Sequence, residues 1–226
     1  SSPPVHSNLA SGRCLVMVSE DAERTMCTNL GINSELSTED IDEEIIKVSD
    51  FLFLEGYLVA SPNGVEVFKR ALRVAKEHNT KVSVSLSDPN IVNAFRDEIR
   101  SLLEIKCDLV FCNEEEALAY AQTDNLQEAF ELLKGVSPNF LITQGSSGCI
   151  GYDGKNHIDI PGHKVKAIDS NGAGDMFAGA VLYLLSQGQC LENGAKFGCY
   201  AASRVVSHVG PRLSKEGYEK IKINYS

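Results

Sequence analysis

A chain of 226 residues, 43% hydrophobic and 23% charged, has the size and composition of a globular protein of one domain or slightly more. Its 21 basic and 31 acidic residues leave a net charge of −10 with no basic stripe, which excludes a nucleic-acid binder, because phosphate backbones demand clustered Lys and Arg. Seven cysteines, an odd number without a Cys-x-x-Cys pair, form neither a disulfide framework nor a zinc pattern, and read mostly as reduced core residues of a soluble, cytoplasmic protein.

Residues 1–12 read as a loop or disordered terminus, without the basic and apolar segments of a secretory leader. Strands are expected over 14–18 and 24–28, joined as a hairpin across Ser19-Glu20-Asp21. Ser37 with Asp40 has capping-box spacing for a helix running through 48, with Ile41, Ile45, Ile46 and Val48 apolar. Strands and helices then alternate. Strands are expected over 51–54, 82–86, 109–112 and 140–143. Helices are expected over 61–78, 90–103, 114–120 and 126–134. Short strands with turns at Gly154 and Gly162 fill 148–165, and helices return over 172–185, 191–206 and 215–221. The longest uncharged apolar run, 176–185, is too short to span a bilayer, so no membrane partner is expected.

This alternation predicts right-handed βαβ crossovers, a mainly parallel sheet and a three-layer α/β/α arrangement. Its domain reading is a terminal loop over 1–12, a hairpin and connection over 13–36, and an α/β domain over 37–226. In open α/β sheets ligands bind beyond the carboxyl ends of the strands. The polar residues that could do chemistry fall there: Asn113, Thr143 with Gly145, and the run from Asp169 to Asp175.

That last run, Asp169-Ser170-Asn171-Gly172-Ala173-Gly174-Asp175, opens the apolar helix. A glycine-rich turn at the positive end of a helix dipole presents free N–H groups to an anion. A carboxylate beside it, Asp175, is placed to take a proton from a hydroxyl next to a transferring phosphoryl group. Two better-known glycine motifs do not fit. A P-loop has Lys-Ser or Lys-Thr where Asp175 stands, and the dinucleotide fingerprint has a third glycine where Phe177 stands. Tight helix–sheet packing alone would also select small residues at 172–174.

Asn113-Glu114-Glu115-Glu116 follows a buried strand. It reads either as a first turn that complements the helix dipole or as Asn113 and Glu116 supplying oxygen to a phosphate-bound Mg²⁺, directly or through water. Thr143-Gln144-Gly145-Ser146-Ser147-Gly148 reads either as a plain turn or as a polar, open loop against nucleotide phosphates. The five histidines form no catalytic or metal group, and no Gly-x-Ser-x-Gly elbow is present.

With these residues assembled, the chain resembles the ribokinase/pfkB family of carbohydrate and nucleoside kinases. The run from Asp169 to Ala180 is similar, position by position, to that family's C-terminal signature. The resemblance implies a ribokinase-like fold and Asp175 as catalytic base, with the N–H groups of Gly172, Ala173 and Gly174 as anion hole. It implies ATP and Mg²⁺, with Asn113 and Glu116 on the metal and phosphate side. Thr143, Gly145, Gly148 and Asn171 would lie on the nucleotide side. Asp169 and the segment near Gly210 fall where many members bind a monovalent cation such as K⁺.

Within the family the adenosine-kinase branch is the most similar. Glu55-Gly56-Tyr57 with Ser61-Pro62, Leu86-Ser87 with Pro89, Thr143-Gln144-Gly145, and Tyr200-Ala201-Ala202-Ser203 carry that likeness. The resemblance implies transfer of the ATP γ-phosphoryl group to a hydroxyl of a small-molecule acceptor, adenosine ahead of a ribose- or fructose-type sugar. A catalytically incomplete nucleotide-binding module is the rival reading. The likeness begins only at the middle of the family pattern. The hairpin would be the end of a lid, and the chain is expected to be the C-terminal part of a longer kinase. K⁺ activation and a homodimer through the lid are left open.

Overall fold

The structure, a computed structural model, describes residues 8–19 and 24–225. β1 (Arg13–Val18) and β2 (Arg24–Asn29) form a two-stranded sheet. The expected turn, Ser19-Glu20-Asp21, falls largely outside the described residues, as does most of the terminal segment.

Six further strands form one sheet. They are β3 (Phe51–Glu55), β4 (Lys81–Ser85), β5 (Leu109–Asn113), β6 (Phe140–Thr143), β7 (Gly148–Tyr152) and β8 (His157–Pro161), hydrogen-bonded in that order. β3, β4 and β5 run parallel, with Phe51 opposite Lys81 and Ser83 opposite Leu109, whereas β7 and β8 run antiparallel. The expected α/β organisation holds. The chain divides into two compact units. One joins the described residues before Val16 to Cys27–Phe140; the other takes the rest of the hairpin and the chain from Leu141 onward.

In the first unit the strands are short runs of Val, Leu and Phe, because they are covered on both faces. Val82, Val84 and Val110 are fully buried. The helices are α1 (Glu43–Val48), α2 (Gly64–His78), α3 (Pro89–Ala94), α4 (Arg96–Leu103), α5 (Glu114–Ala121) and α6 (Leu126–Lys134). Phe68, Leu72 and Ala75 on α2, with Leu102 on α4 and Phe130 and Leu133 on α6, complete this core. Phe130 meets Phe140 edge-on at 4.8 Å between ring centres.

Two helices depart from expectation. Ser37 and Asp40 do form a capping box, but around a single 3-10 turn, Thr38–Asp40. Ile41 is extended, and α1 starts afresh with the Asp42 carboxylate accepting from Ile45 N–H. The helix expected over 90–103 breaks at Phe95 (φ −128°, ψ 30°), giving α3 and α4. Asp88 caps α3 by accepting from Asn90 and Ile91 N–H, so the chain ahead of Asn90 sets that start.

The second unit holds β7, β8, α7 (Ala173–Ser186), α8 (Leu191–Val205) and α9 (Lys215–Tyr225). Phe177, Ala180 and Val181 of α7 pack with Ala195, Phe197 and Ala201 of α8. The two helices approach so closely that a Cβ on Gly198 would lie 2.8 Å from Phe177 Cδ2. The cysteines are all free: Cys112, Cys149 and Cys199 are buried, Cys107 is half-buried, and Cys14, Cys27 and Cys190 are exposed, fewer in the core than expected. Among the described residues no helix is long and apolar enough to cross a membrane.

Candidate functional site

In the first unit, β5 is apolar and buried up to Cys112, and Asn113 ends it as the N-cap of α5. Asn113 and Glu116 satisfy each other. Asn113 Oδ1 accepts from Glu116 N–H at 2.8 Å, Glu116 Oε2 accepts from Asn113 N–H at 3.1 Å, and Asn113 Nδ2 donates to Glu116 Oε1 at 2.9 Å. Of the three acidic residues in this first turn, Glu115 is exposed and serves the dipole, whereas Glu116 is only 6% exposed. A buried carboxylate needs donors, and the cap supplies them. Burial pushes the neighbouring Cys112 thiol well above its usual value, and the charge of Glu116 adds to the effect.

Among the described residues no three His, Cys, Asp or Glu side chains gather as a metal cage. The Glu116 carboxylate, buried and oriented by Asn113, is a hard oxygen donor of the kind Mg²⁺ takes alongside waters and phosphate oxygens. The Asn113 amide is engaged at both ends by Glu116, so its visible work is to orient that carboxylate.

In the second unit, Thr143 ends β6 and leads into a 3-10 turn, Gly145–Ser147. Gln144 N–H donates to Gly148 O at 2.8 Å and Gly162 N–H to Ser147 O at 2.9 Å, which closes the turn on itself. Gly145, Ser146 and Ser147 are exposed, and a Cβ on Gly145 would meet nothing within 4 Å. Gly148 is different. Its φ is +107° and a Cβ would stand 2.0 Å from Ile160 O, so the β7–β8 backbone by itself demands a glycine there.

The run from Asp169 to Asp175 is anchored from its first residue. Asp169 is 3% exposed; Oδ1 accepts from Asn171 N–H at 2.9 Å and Oδ2 from Gly210 N–H at 2.8 Å. Ile168 N–H donates to Val206 O at 2.7 Å, which ties the same loop to the segment that follows α8. Gly172 caps α7 in the left-handed region (φ +73°), where a Cβ would lie 2.3 Å from Pro211 O. Its glycine is thus a requirement of packing and backbone.

Gly174 carries no such requirement. A Cβ there would meet nothing within 4 Å, although it sits beside the crowded Gly172. An α-helix leaves its first N–H groups without intrahelical partners, and the first such bond here runs from Met176 N–H to Gly172 O at 2.9 Å. Ala173 N–H reaches back to Ser170 O at 3.3 Å. Asp175 is exposed on the same turn. The open face at Gly174 thus lies over the first N–H groups of a 14-residue helix, at its positive end, an arrangement suited to an anion.

The structure assembles the sequence-derived residues as three local groups: Asn113 with Glu116, the turn from Thr143 to Gly148, and Asp169–Asp175 closed by 206–211. Pro211 and His208 escaped sequence reasoning. Pro211 is the backbone that Gly172 makes room for. His208 Nδ1 donates to Val209 O at 2.8 Å, and its Nε2 is buried without a hydrogen-bond partner. Neither belongs to a local motif, so no spacing in the sequence would have singled them out.

The pfkB family carbohydrate kinase pattern matches residues 5–216. Adenosine kinase of Schizosaccharomyces pombe is 28% identical over 224 residues, covering 90% of this chain and 65% of the relative. Among solved structures, a probable sugar kinase from Rhizobium etli superposes with a TM-score of 0.90 at 33% identity, covering 94% of this chain and 65% of the other. The adenosine kinase of Sinorhizobium meliloti gives 0.91 at 30% identity, covering 94% and 66%. The chain thus spans about two thirds of the length of the relatives it matches. Signature turn, fold and pattern agree over nearly the whole chain, which belongs to the pfkB family of carbohydrate kinases.

Proposed function

We propose that this chain is the phosphoryl-donor side of a kinase that moves the ATP γ-phosphoryl group to a hydroxyl of a nucleoside, with adenosine the favoured acceptor. The observation that carries the reading is the unobstructed first turn of α7 at Gly174 with Asp175 exposed beside it. The likeness to adenosine kinases at 28% and 30% identity supports the acceptor. The 33% identity with a probable sugar kinase supports a sugar hydroxyl as the second reading.

In this mechanism the N–H groups of Gly172, Ala173 and Gly174 hold the transferring group as charge develops on its oxygens. Asp175 accepts the proton of the acceptor hydroxyl, whose oxygen forms the new O–P bond as the bond to the ADP oxygen breaks. Glu116, oriented by Asn113, is the carboxylate that would face the hydrated metal. Bound Mg²⁺ would supply charge neutralisation to the phosphates. Thr143, Gly145, Gly148 and Asn171 take the nucleotide side, the exposed turn at 145–147 offering hydroxyls and N–H groups. Asp169, held by two backbone N–H groups, would place the loop for a monovalent cation such as K⁺. Seven free thiols support a cytoplasmic setting. Leu15 and Met17, 65% and 50% exposed on β1, support a homodimer paired through the hairpin.

The test is acceptor-dependent ADP release by the natural gene product, with adenosine, other nucleosides, ribose, fructose and a hexose phosphate, in Na⁺ and in K⁺ salts. Asp175→Asn should lower turnover by about 10²–10⁴-fold with ATP affinity nearly unchanged. Retained turnover removes Asp175 from the mechanism. ATP binding without any acceptor-dependent ADP would favour an incomplete nucleotide-binding module, and a sugar used in preference to adenosine would overturn the nucleoside assignment.

A further inference from the structure

Two of the seven free cysteines meet. Cys149 on β7 and Cys199 on α8, 50 residues apart in sequence and both in the second unit, place their Sγ atoms 3.5 Å apart. Each is held from its own side. Cys149 sits opposite Ile160 in the β7–β8 ladder, and Cys199 follows Gly198, where an added Cβ would crowd Phe177 and Val181 of α7. Cys149 is 1% exposed and Cys199 8%, so the pair is sheltered with Cys199 at its rim. Neither thiol has a part in the phosphoryl transfer.

The two do not ionise alike. Hydrogen bonding with Cys149 holds the Cys199 thiol below its usual range, because a thiol proton shared at this contact stabilises a thiolate. The same partner, then burial, pushes Cys149 far up, since the site resists a second negative charge. A sheltered attacking sulfur and a protonated neighbour in contact with it make a resolving pair.

We propose that Cys149 and Cys199 form a reversible dithiol–disulfide site for hydroperoxides, with Cys199 the attacking sulfur and Cys149 the resolving one. The Cys199 thiolate attacks the distal peroxide oxygen; an S–O bond forms, the O–O bond breaks, and the leaving alkoxide or hydroxide takes up a proton. Cys199 is then a sulfenic acid. The Cys149 sulfur attacks Cys199 Sγ; the S–S bond forms, the S–O bond breaks, and the Cys149 proton leaves with hydroxide as water. The dithiol has lost two electrons and the peroxide has gained them. The sulfurs must approach from 3.5 Å to about 2.05 Å for the bond to form.

Native protein is treated with a few equivalents of hydrogen peroxide, quenched, alkylated in denaturant and digested with trypsin. The expected result is a crosslink between the peptide 135–155, which holds Cys149 alone, and the peptide 197–204, which holds Cys199 alone. Dithiothreitol should reverse it, and Cys199→Ser should abolish it and leave Cys149 alkylatable. In Cys149→Ser, dimedone should label Cys199 as a sulfenic acid. Oxidation confined to the exposed Cys14, Cys27 and Cys190, with Cys149 and Cys199 recovered as alkylated thiols in wild type, would overturn the proposal. So would a crosslink that forms only in denaturant. The wild-type digest decides the matter even where a variant folds poorly.

Discussion

Gly172 and Gly174 stand two residues apart on one turn, yet an added methyl should have opposite consequences for stability. At Gly172 the methyl enters the left-handed region, costing about 1–2 kcal/mol. It also stands 2.3 Å from Pro211 O, where real contacts do not fall below 3.0 Å, so the backbone must yield by the difference, 0.7 Å. Overpacking of that kind costs about 1–3 kcal/mol more. Together the losses come to about 2–5 kcal/mol. At about 2–4 °C per kcal/mol for a chain of this size, the melting temperature of Gly172→Ala should fall by about 4–20 °C. At Gly174 nothing lies within 4 Å and the backbone is helical, so alanine should stabilise by up to about 1 kcal/mol. On the proposed reading the anion sits over these N–H groups, so the same methyl should crowd it and weaken a contact whose full loss costs about 10²–10³-fold in turnover. Thermal melts by circular dichroism, ATP titration calorimetry and ADP release on both variants make the comparison. A Gly174→Ala protein with wild-type affinity and turnover would refute the anion cradle. A Gly172→Ala protein with an unchanged melting temperature would refute the packing argument.

Gly198→Ala drives a methyl to 2.8 Å from Phe177 Cδ2, so the α7–α8 contact should lose about 1–3 kcal/mol, less about 0.5–1 kcal/mol from alanine's helix preference; a Phe177→Leu partner should restore part of the melting temperature. Asp169→Ala removes the carboxylate that accepts from Asn171 and Gly210 N–H, and should cost about 1.5–3 kcal/mol in urea unfolding, with faster hydrogen exchange at the Gly210 amide. Burial pushes the Cys107 thiol up to about 12 from a usual value of 9.0. The folded state then keeps a proton that the unfolded chain loses, so this contribution is complete below pH 9 and is lost as pH rises through 12. Wild type minus Cys107→Ser should therefore decline by up to about 1.4 kcal/mol per pH unit in that window, read by urea unfolding at pH 8, 9.5 and 11; a flat difference would contradict it.

Much of the molecule is written in short-range pattern. The Val-x-Val of β4, the Asn113–Glu116 box and the Asn125 cap of α6 each set their element through groups within four residues. Their positions therefore follow from the sequence alone. The signature from Asp169 to Asp175 likewise announces a glycine-rich helix start. Where expectation slipped, at Ile41 and Phe95, a second cap or an interrupting backbone conformation broke a helix whose apolar spacing continued through it.

What the tertiary structure alone decided is why each residue of the turn is there. Both glycines look alike in sequence; only the approach of Pro211, 39 positions after Gly172, makes one a packing necessity and leaves the other open to a ligand. The resemblance groups Asp169 with the segment near Gly210, 41 residues on, but only the fold shows that the Gly210 N–H donates to its carboxylate and closes the loop. Cys149 and Cys199 become a pair for the same reason. Hydrogen-bond periodicity and capping are settled by neighbours along the chain, but close approach between distant segments is settled by the packing of the whole core, which no local spacing encodes.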